Sequence, residues 1–322
     1  MSMRSAIVPL LAVLAAALAA PALAQYPVRP IRLVVPTAPG GGMDLVGRLI
    51  AQKLGDRLGQ QVVVDNRPGA SEIIGTDIVV RAAPDAYTIL LVNMAFAANP
   101  GLFERLPYDS ATALAPVTLI ASLPSVLVTH PSVPAKTAAE LITLAKARPG
   151  TLNYGSAGTG TSLHLITELF KNSAGLSIVH VPYKGAGPAL SALLANEIAL
   201  TFIAIPPAHP HIRSGRLTAL GVTSAKRMGA LPEVPTIGEA ALPGFEVNDW
   251  QAILAPAGTP AQLLATLNRE IVAALNAADV NERITGLGAV VVASTPAELA
   301  RHLSKELATW SRVIKAAGIR AD

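Results

Sequence analysis

The sequence predicts two α/β domains, one interrupted by the other, and three observations carry that prediction. Short β-branched runs alternate with longer stretches of helical apolar spacing, the signature of βαβ units on a largely parallel sheet. A chain of 322 residues exceeds the size at which a single core keeps growing. Two glycine-rich segments, one in each half, each lie between a predicted strand and a predicted helix.

The elements follow in order. Arg4, an apolar Ala-rich run over 6–20, and Pro21 followed by Ala22, Leu23 and Ala24 form a cleavable secretory signal, so the mature chain is expected to begin at Gln25. The run is shorter than the ~20 residues of a membrane span and no stop-transfer charges follow it. Residues 31–35 read as the first strand. A helix over 44–58 carries Leu45, Leu49, Ile50 and Leu54 as an apolar stripe. A strand at 62–64, a helix capped by Ser71 and running to Arg81, and a strand over 88–92 ending at Asn93 come next.

Extended runs at 117–121 and 126–129 flank Leu123 and Pro124, a candidate crossover. The alternation then restarts. Thr137 and Glu140 open a helix to Ala147 as a capping box, 152–154 is a short strand, and a helix over 162–171 follows. Runs at 177–181, 189–194, 199–203 and 217–223 continue the pattern, and the Pro-rich stretch 231–235 with Pro243-Gly244 marks a second boundary. Residues 247–255 read as a strand, Thr259-Pro260 as the start of a helix to Asn276, and Thr295-Pro296 as the start of the last helix. This tail has no glycine loop, so it is expected to return to the first domain. The expected division is a signal at 1–24, a discontinuous domain of 25–123 and 247–322, and an inserted domain of 124–246, joined by two hinge crossings.

Composition narrows the function. The net charge of +4 falls to +3 without Arg4, basic residues are scattered and aromatic residues are few, which argues against a nucleic-acid surface. With no Cys there is no disulfide, no thiolate metal site and no lipid attachment at the cleavage point.

The chemistry is expected in the glycine loops. The first runs over 36–44 with Gly40, Gly41 and Gly42; the second runs over 154–162 with Gly155, Gly158 and Gly160. At a strand-to-helix junction the unpaired N–H groups of the first helical turn and the helix dipole favour an anion, and glycine lets it approach the backbone. Such junctions lie at the carboxyl edge of a parallel sheet, where ligands bind. Two of them facing across a cleft would hold a carboxylate from opposite walls without a buried Arg.

Other chemistries fit less well. Neither loop has the Lys-containing phosphate-loop pattern, and the second orders its glycines as G-x-x-G-x-G, unlike a dinucleotide fingerprint. No G-x-S-x-G elbow is present. His164 and Glu168 lie one helical turn apart without a third ligand, so packing or a solvated pair is the expectation rather than a metal site. His209 and His211 flank a Pro in an expected loop, residues 65–67 form a polar turn, and Trp250 reads equally as core or hinge. No catalytic residue, metal or cofactor is expected.

In several stretches the chain resembles the solute-binding receptors of the tripartite tricarboxylate transporter family. These are Tyr26-Pro-Val-Arg-Pro-Ile-Arg-Leu-Val-Val-Pro36, Ala38-Pro-Gly-Gly-Gly42 before Asp44, Val64-Asp-Asn-Arg-Pro-Gly69, Tyr154-Gly-Ser-Ala-Gly158, Val181-Pro-Tyr-Lys-Gly185, Pro210-His-Ile-Arg-Ser-Gly215 and Leu231-Pro-Glu-Val-Pro-Thr236. The resemblance spans essentially the whole mature chain. It implies an α/β two-domain periplasmic-binding-protein (type II-like) fold with a cleft between the lobes and two hinge crossings, a periplasmic location, no enzymatic chemistry and membrane transporter subunits as partners. A small organic carboxylate is the implied ligand, and the receptor is expected to be a monomer. Carried over by position, the ligand-binding residues are Thr37, Gly41, Gly42, Met43 and Asp44 on one wall and Ser156, Gly158, Thr159, Thr161 and Ser162 on the other, with Asn93 at a strand end. The chain departs from the family at Thr37, Met43, residues 71–74 and Ile203-Ala204, and the gain of Met and Ile there predicts an apolar or aromatic ligand body. A secreted sensor or enzyme on the same scaffold is the competing reading; turnover of a carboxylate would favour the enzyme.

Overall fold

The computed structural model describes residues 26–320, so the expected secretory leader lies outside the described residues. The first elements are β1 (Ile31–Val35), α1 (Gly42–Leu58), β2 (Val62–Asn66), α2 (Ile73–Val80), β3 (Thr88–Asn93), α3 (Met94–Leu102) and β4 (Leu114–Leu123). Then come β5 (Ser125–Thr129), α4 (Ala138–Ala147), β6 (Asn153–Ser156), α5 (Ser162–Ala174), β7 (Val179–Pro182), α6 (Ala186–Leu194), β8 (Leu200–Ala204), α7 (Ile205–Arg213), β9 (Thr218–Val222) and α8 (Ile237–Ala240). The chain closes with β10 (Asp249–Pro256), α9 (Ala261–Leu275), α10 (Ala278–Gly286), β11 (Val290–Val291) and α11 (Pro296–Ala317).

Two sheets result. One has strand order β11-β4-β10-β3-β1-β2 and the other β7-β6-β8-β5-β9. In the first, β1 is parallel to β2 and β3 while β10 is antiparallel to both β3 and β4, so β4 runs the same way as β1. In the second, β6 is parallel to β7 and β8, and β5 is antiparallel to β8. Only Pro124 separates Leu123, the end of β4, from Ser125, which pairs with Ala204 at the end of β8. That single residue joins the carboxyl edges of the two sheets.

Thr223 ties this crossing to the returning one. Its N–H donates to the Ser125 carbonyl (2.9 Å) and its carbonyl accepts from Val247 N–H (3.1 Å). Its hydroxyl accepts from Ser125 N–H (2.9 Å) and donates to Asn248 Oδ1 (3.0 Å).

Apolar packing follows the layers. Ile31, Leu33 and Val35 meet α1, α9 and α10 through Ile50, Leu267 and Ile284 on one face of the first sheet. The other face joins α2, α3 and α11 to the second sheet in one continuous cluster that includes Phe96, Phe170 and Trp310. A third cluster, with Leu193, Ile203 and Ile205, lies under α6 and α7. Among the described residues no helix is long and apolar enough to cross a membrane.

Local expectations need correction in four places. Ser71 does not cap α2, because Ala70, Ser71 and Glu72 all take positive φ (45°, 50° and 73°) and the helix starts at Ile73. α9 begins at Ala261, and the Thr259 hydroxyl donates to the Pro256 carbonyl (2.7 Å) instead of capping it. His209 and His211 lie on α7, not in a loop. The helix α3, carrying Pro100 and Gly101, was hidden by its two helix-breaking residues.

Candidate functional site

The first glycine loop leaves β1 at the carboxyl edge of its sheet and enters α1 at Gly41, whose carbonyl accepts from Leu45 N–H (3.0 Å). Gly41 and Gly42 are exposed, and no side chain caps the helix, so its first-turn amides remain available to a ligand. Asp44 holds the loop in this shape. Its Oδ2 accepts from Gly40 N–H (2.9 Å) and Arg48 Nε (2.9 Å), and its Oδ1 from Asn66 Nδ2 (2.9 Å). Asn66 also donates to the Thr37 carbonyl (3.1 Å), while the buried Thr37 hydroxyl has no partner. Burial would raise the Asp44 pKa, but the bonds from Arg48, Gly40 and Asn66 outweigh it and hold the carboxyl below the usual range.

The second loop leaves β6. Gly158 has φ 128°, a conformation that favours glycine, and the Thr161 hydroxyl donates to its carbonyl (2.7 Å). That bond removes Thr161 from capping duty, and α5 likewise begins without a side-chain cap. Ser156 is fully buried, accepting from Gly158 N–H (3.1 Å) and lying 2.6 Å from His180 Nε2. Thr159 is exposed at the loop tip.

The lobes meet near these loops. The Ser162 hydroxyl, at the start of α5, lies against the Asp249 carboxylate, which also accepts from Met94 N–H (3.3 Å) at the start of α3. A side-chain carbon at Gly160 would meet Leu102 of α3 at 3.3 Å. Each loop thus lies at the carboxyl edge of its own sheet, the edges that the Pro124 crossing joins. A separate cavity of about 810 Å³ lies on the β11 side, between α7 and α10, lined by Ile205, Pro206, Met228, Asn281 and Val290 among others. It contains none of the expected residues.

Gly41 and Gly42 lie at the carboxyl edge of the first sheet and Gly158, Thr159, Thr161 and Ser162 at that of the second, while other expected residues have different work. The Met43 side chain, 6 % exposed, packs in the core beneath α1, so only its amide faces outward. Ile203 is core too. The apolar groups at the carboxyl edges are instead Ala204, which is exposed, and Ile74, 50 % exposed. The Asp44 carboxylate and the Ser156 hydroxyl serve the loops themselves. Asn93 caps α3 by accepting from Ala95 N–H (2.8 Å) and donates to Glu72 Oε1 (2.9 Å), so both ends of its amide are engaged.

Residues not expected from sequence complete the surroundings. Glu72 is pushed up to about 8, first by burial and then by Asp249, and its Oε2 has no partner. Asp249 is raised by burial in the same way. His164 and His180 back the second loop. His164 and Glu168 stand 4.0 Å apart in the interior of the inserted lobe, matching packing rather than a solvated pair. Among the described residues no group of three potential ligands could hold a metal. Trp250 is core, its indole N–H donating to Glu306 (2.8 Å).

Known proteins match this architecture. The family described as tripartite tricarboxylate transporter family receptor matches residues 46–319. Protein BugT of Bordetella pertussis is 39% identical over 308 residues, covering 95% of this chain and 94% of that protein. A structure from R. palustris solved with adipate is 37% identical with a TM-score of 0.78, over 92% of this chain and 100% of the other. MatC from Rhodopseudomonas palustris with bound malate is 33% identical with a TM-score of 0.75, over 90% and 100%.

Proposed function

The chain belongs to the tripartite tricarboxylate transporter receptor family, and from that premise we propose that it captures a small organic carboxylate between its two glycine loops. It is a solute-binding receptor of the periplasmic type. The single observation that supports the carboxylate reading is the pair of uncapped helix N-termini, α1 and α5, at carboxyl edges that Pro124 joins. Backbone amides of 41–43 and 158–162 bind the ligand oxygens, Thr37 adds its unpartnered hydroxyl, and Ala204 and Ile74 leave room for an apolar body. The lobes, divided at 124 and 246, close about the Thr223-bonded crossings. The receptor enters the periplasm by cleavage after Ala24, acts as a monomer without turning over its ligand, and hands it to membrane transporter subunits.

Calorimetric titration of the mature protein tests this against adipate, malate, citrate, benzoate and an uncharged amide of similar size. Micromolar or tighter binding of one acid, no binding of the amide and quantitative recovery of the ligand are expected. Binding of the amide as tightly as the acid, or conversion of the acid, would overturn it.

A further inference from the structure

The second glycine loop is held from behind by two histidines. His164 and His180 stack with ring centroids 4.0 Å apart and planes 10° from parallel, and Tyr154 lies against His180 at 4.8 Å. Gly160 N–H donates to His164 Nδ1 (3.1 Å). An amide is only a donor, so Nδ1 must present its lone pair and the ring proton must sit on Nε2. His180 Nε2 meets the Ser156 hydroxyl, which in turn accepts Gly158 N–H. Both bonds fix glycines whose φ is positive, 128° at Gly158 and 78° at Gly160.

We propose that His164 and His180 are positioning residues for the carboxylate-binding loop, and that the loop holds its binding shape only while the His164 imidazole is neutral. This rests on the reading that residues 158–162 form one wall of the ligand site. Protonation of His164 at Nδ1 would set two donors against each other and release Gly160. Two stacked imidazolium rings would also repel, so the pair carries at most one charge.

Of the other titratable groups facing the rings, Glu168 favours their protonation and Lys171 opposes it, and burial outweighs both. Glu168, from α5, accepts from the Tyr154 hydroxyl of β6 (2.5 Å) and from Lys171 Nζ (2.6 Å). Its charge is matched by the lysine, which also stands 5.4 Å above the Tyr154 ring. Burial first, then the neighbouring His180, lower His164 to about 4, and burial lowers His180 as well. Neutral rings therefore prevail at pH 7.

Two variants separate positioning from bulk packing. His164→Asn keeps an acceptor near the Nδ1 position but cannot take up a proton, whereas His164→Ala removes the acceptor. With adipate as probe at pH 7, the alanine variant is expected to bind about tenfold more weakly and the asparagine variant within about threefold of wild type. The ratio of wild-type Kd to asparagine-variant Kd cancels protonation of adipate itself, and is expected to rise about fourfold by pH 3.5 for a midpoint of about 4. In the ligand-free protein the Gly160 amide resonance should move with the His164 imidazole between pH 7 and 3.5, with circular dichroism reporting the fold. A Gly160 amide indifferent to pH, or an alanine variant that binds as wild type, overturns the positioning role. Adipate that binds while leaving the 158–162 amides unmoved overturns the underlying assignment of the loop as a wall of the site.

Discussion

Replacing Asp44 by Asn changes one oxygen to an amide nitrogen and little else, so its effect isolates the acceptor that shapes the first glycine loop. Asp44 is 2 % exposed and takes three donors, Gly40 N–H, Arg48 Nε and Asn66 Nδ2. An Asn in its place keeps one acceptor oxygen for three donors and adds two N–H groups of its own. Each hydrogen bond to a charged acceptor contributes about 1.5–3 kcal/mol. Arg48, whose side chain is 52 % exposed, and the exposed Gly40 regain water when released, which discounts their share. The expected loss is roughly 2–3 kcal/mol in unfolding free energy, read by urea denaturation at pH 7. Affinity for a bound acid should fall about tenfold as the α1 amides lose their fixed direction. The folded pKa of Asp44 is depressed, so its stabilising effect is complete above the ordinary carboxylate value and fades as pH falls through the folded one. Wild type and variant should therefore converge in strong acid. Equal stability at pH 7, or a gap that widens on acidification, would refute the clamp.

Three further outcomes follow from the same geometry. Glu72 is raised to about 8 against about 4.3 when unfolded, so stability is lost as pH rises between those values; Glu72→Gln should unfold at higher temperature than wild type at pH 8 and at the same temperature at pH 4, by calorimetry. Glu306 Oε2 accepts both Trp250 Nε1 (2.8 Å) and Trp310 Nε1 (2.9 Å); Glu306→Ala leaves two buried donors unmet and should cost about 2–4 kcal/mol, with a shift in tryptophan emission, while Glu306→Gln should recover part of it. Gly158→Ala places a side chain at φ 128° and should cost about 1–3 kcal/mol in chemical denaturation, with weaker acid binding than at the neighbouring exposed Thr159→Ala.

Much of the architecture was legible because it is written in periodicity and turn chemistry. The first strand was placed at 31–35 and is observed at Ile31–Val35, and Thr295 with Glu298 forms the capping box that opens α11. The glycine loops were legible as backbone and not as side chains. A Gly-rich junction announces open amides, but nothing local announces that Asp44 will turn inward to Asn66, 22 residues away, or that His180 will stack on His164 from another element. Those partnerships depend on strand order, which sequence spacing does not encode. The Met43 and Ile203 positions misled for the opposite reason: one residue's rotation about a helix or strand decides between cleft and core, and a departure from a family pattern carries no direction.

If the two glycine loops are the walls of the ligand site, as proposed, they are braced by different chemistry, and this bears on how an anion is held. In the first lobe the brace is Asp44, a carboxylate beneath the N-terminus of α1, where its charge would oppose an incoming anion. Arg48 offsets it, bonded to Asp44 Oδ2 (2.9 Å) and to Asn66 Oδ1 (3.1 Å) on the solvent side. In the second lobe the brace is a neutral histidine pair, with the Glu168 charge already matched by Lys171. Neither loop thus presents a net charge of its own, and in the proposed site the attraction for an acid would come from aligned amides at α1 and α5. Aligned dipoles act over the first helical turn only, so each helix end attracts strongly when the anion is within a few ångströms. One lobe alone provides one such end. On the proposed reading tight capture consequently requires closure, and the short Pro124 crossing, tied through Thr223 to the returning strand, would limit it to an approach of the two carboxyl edges.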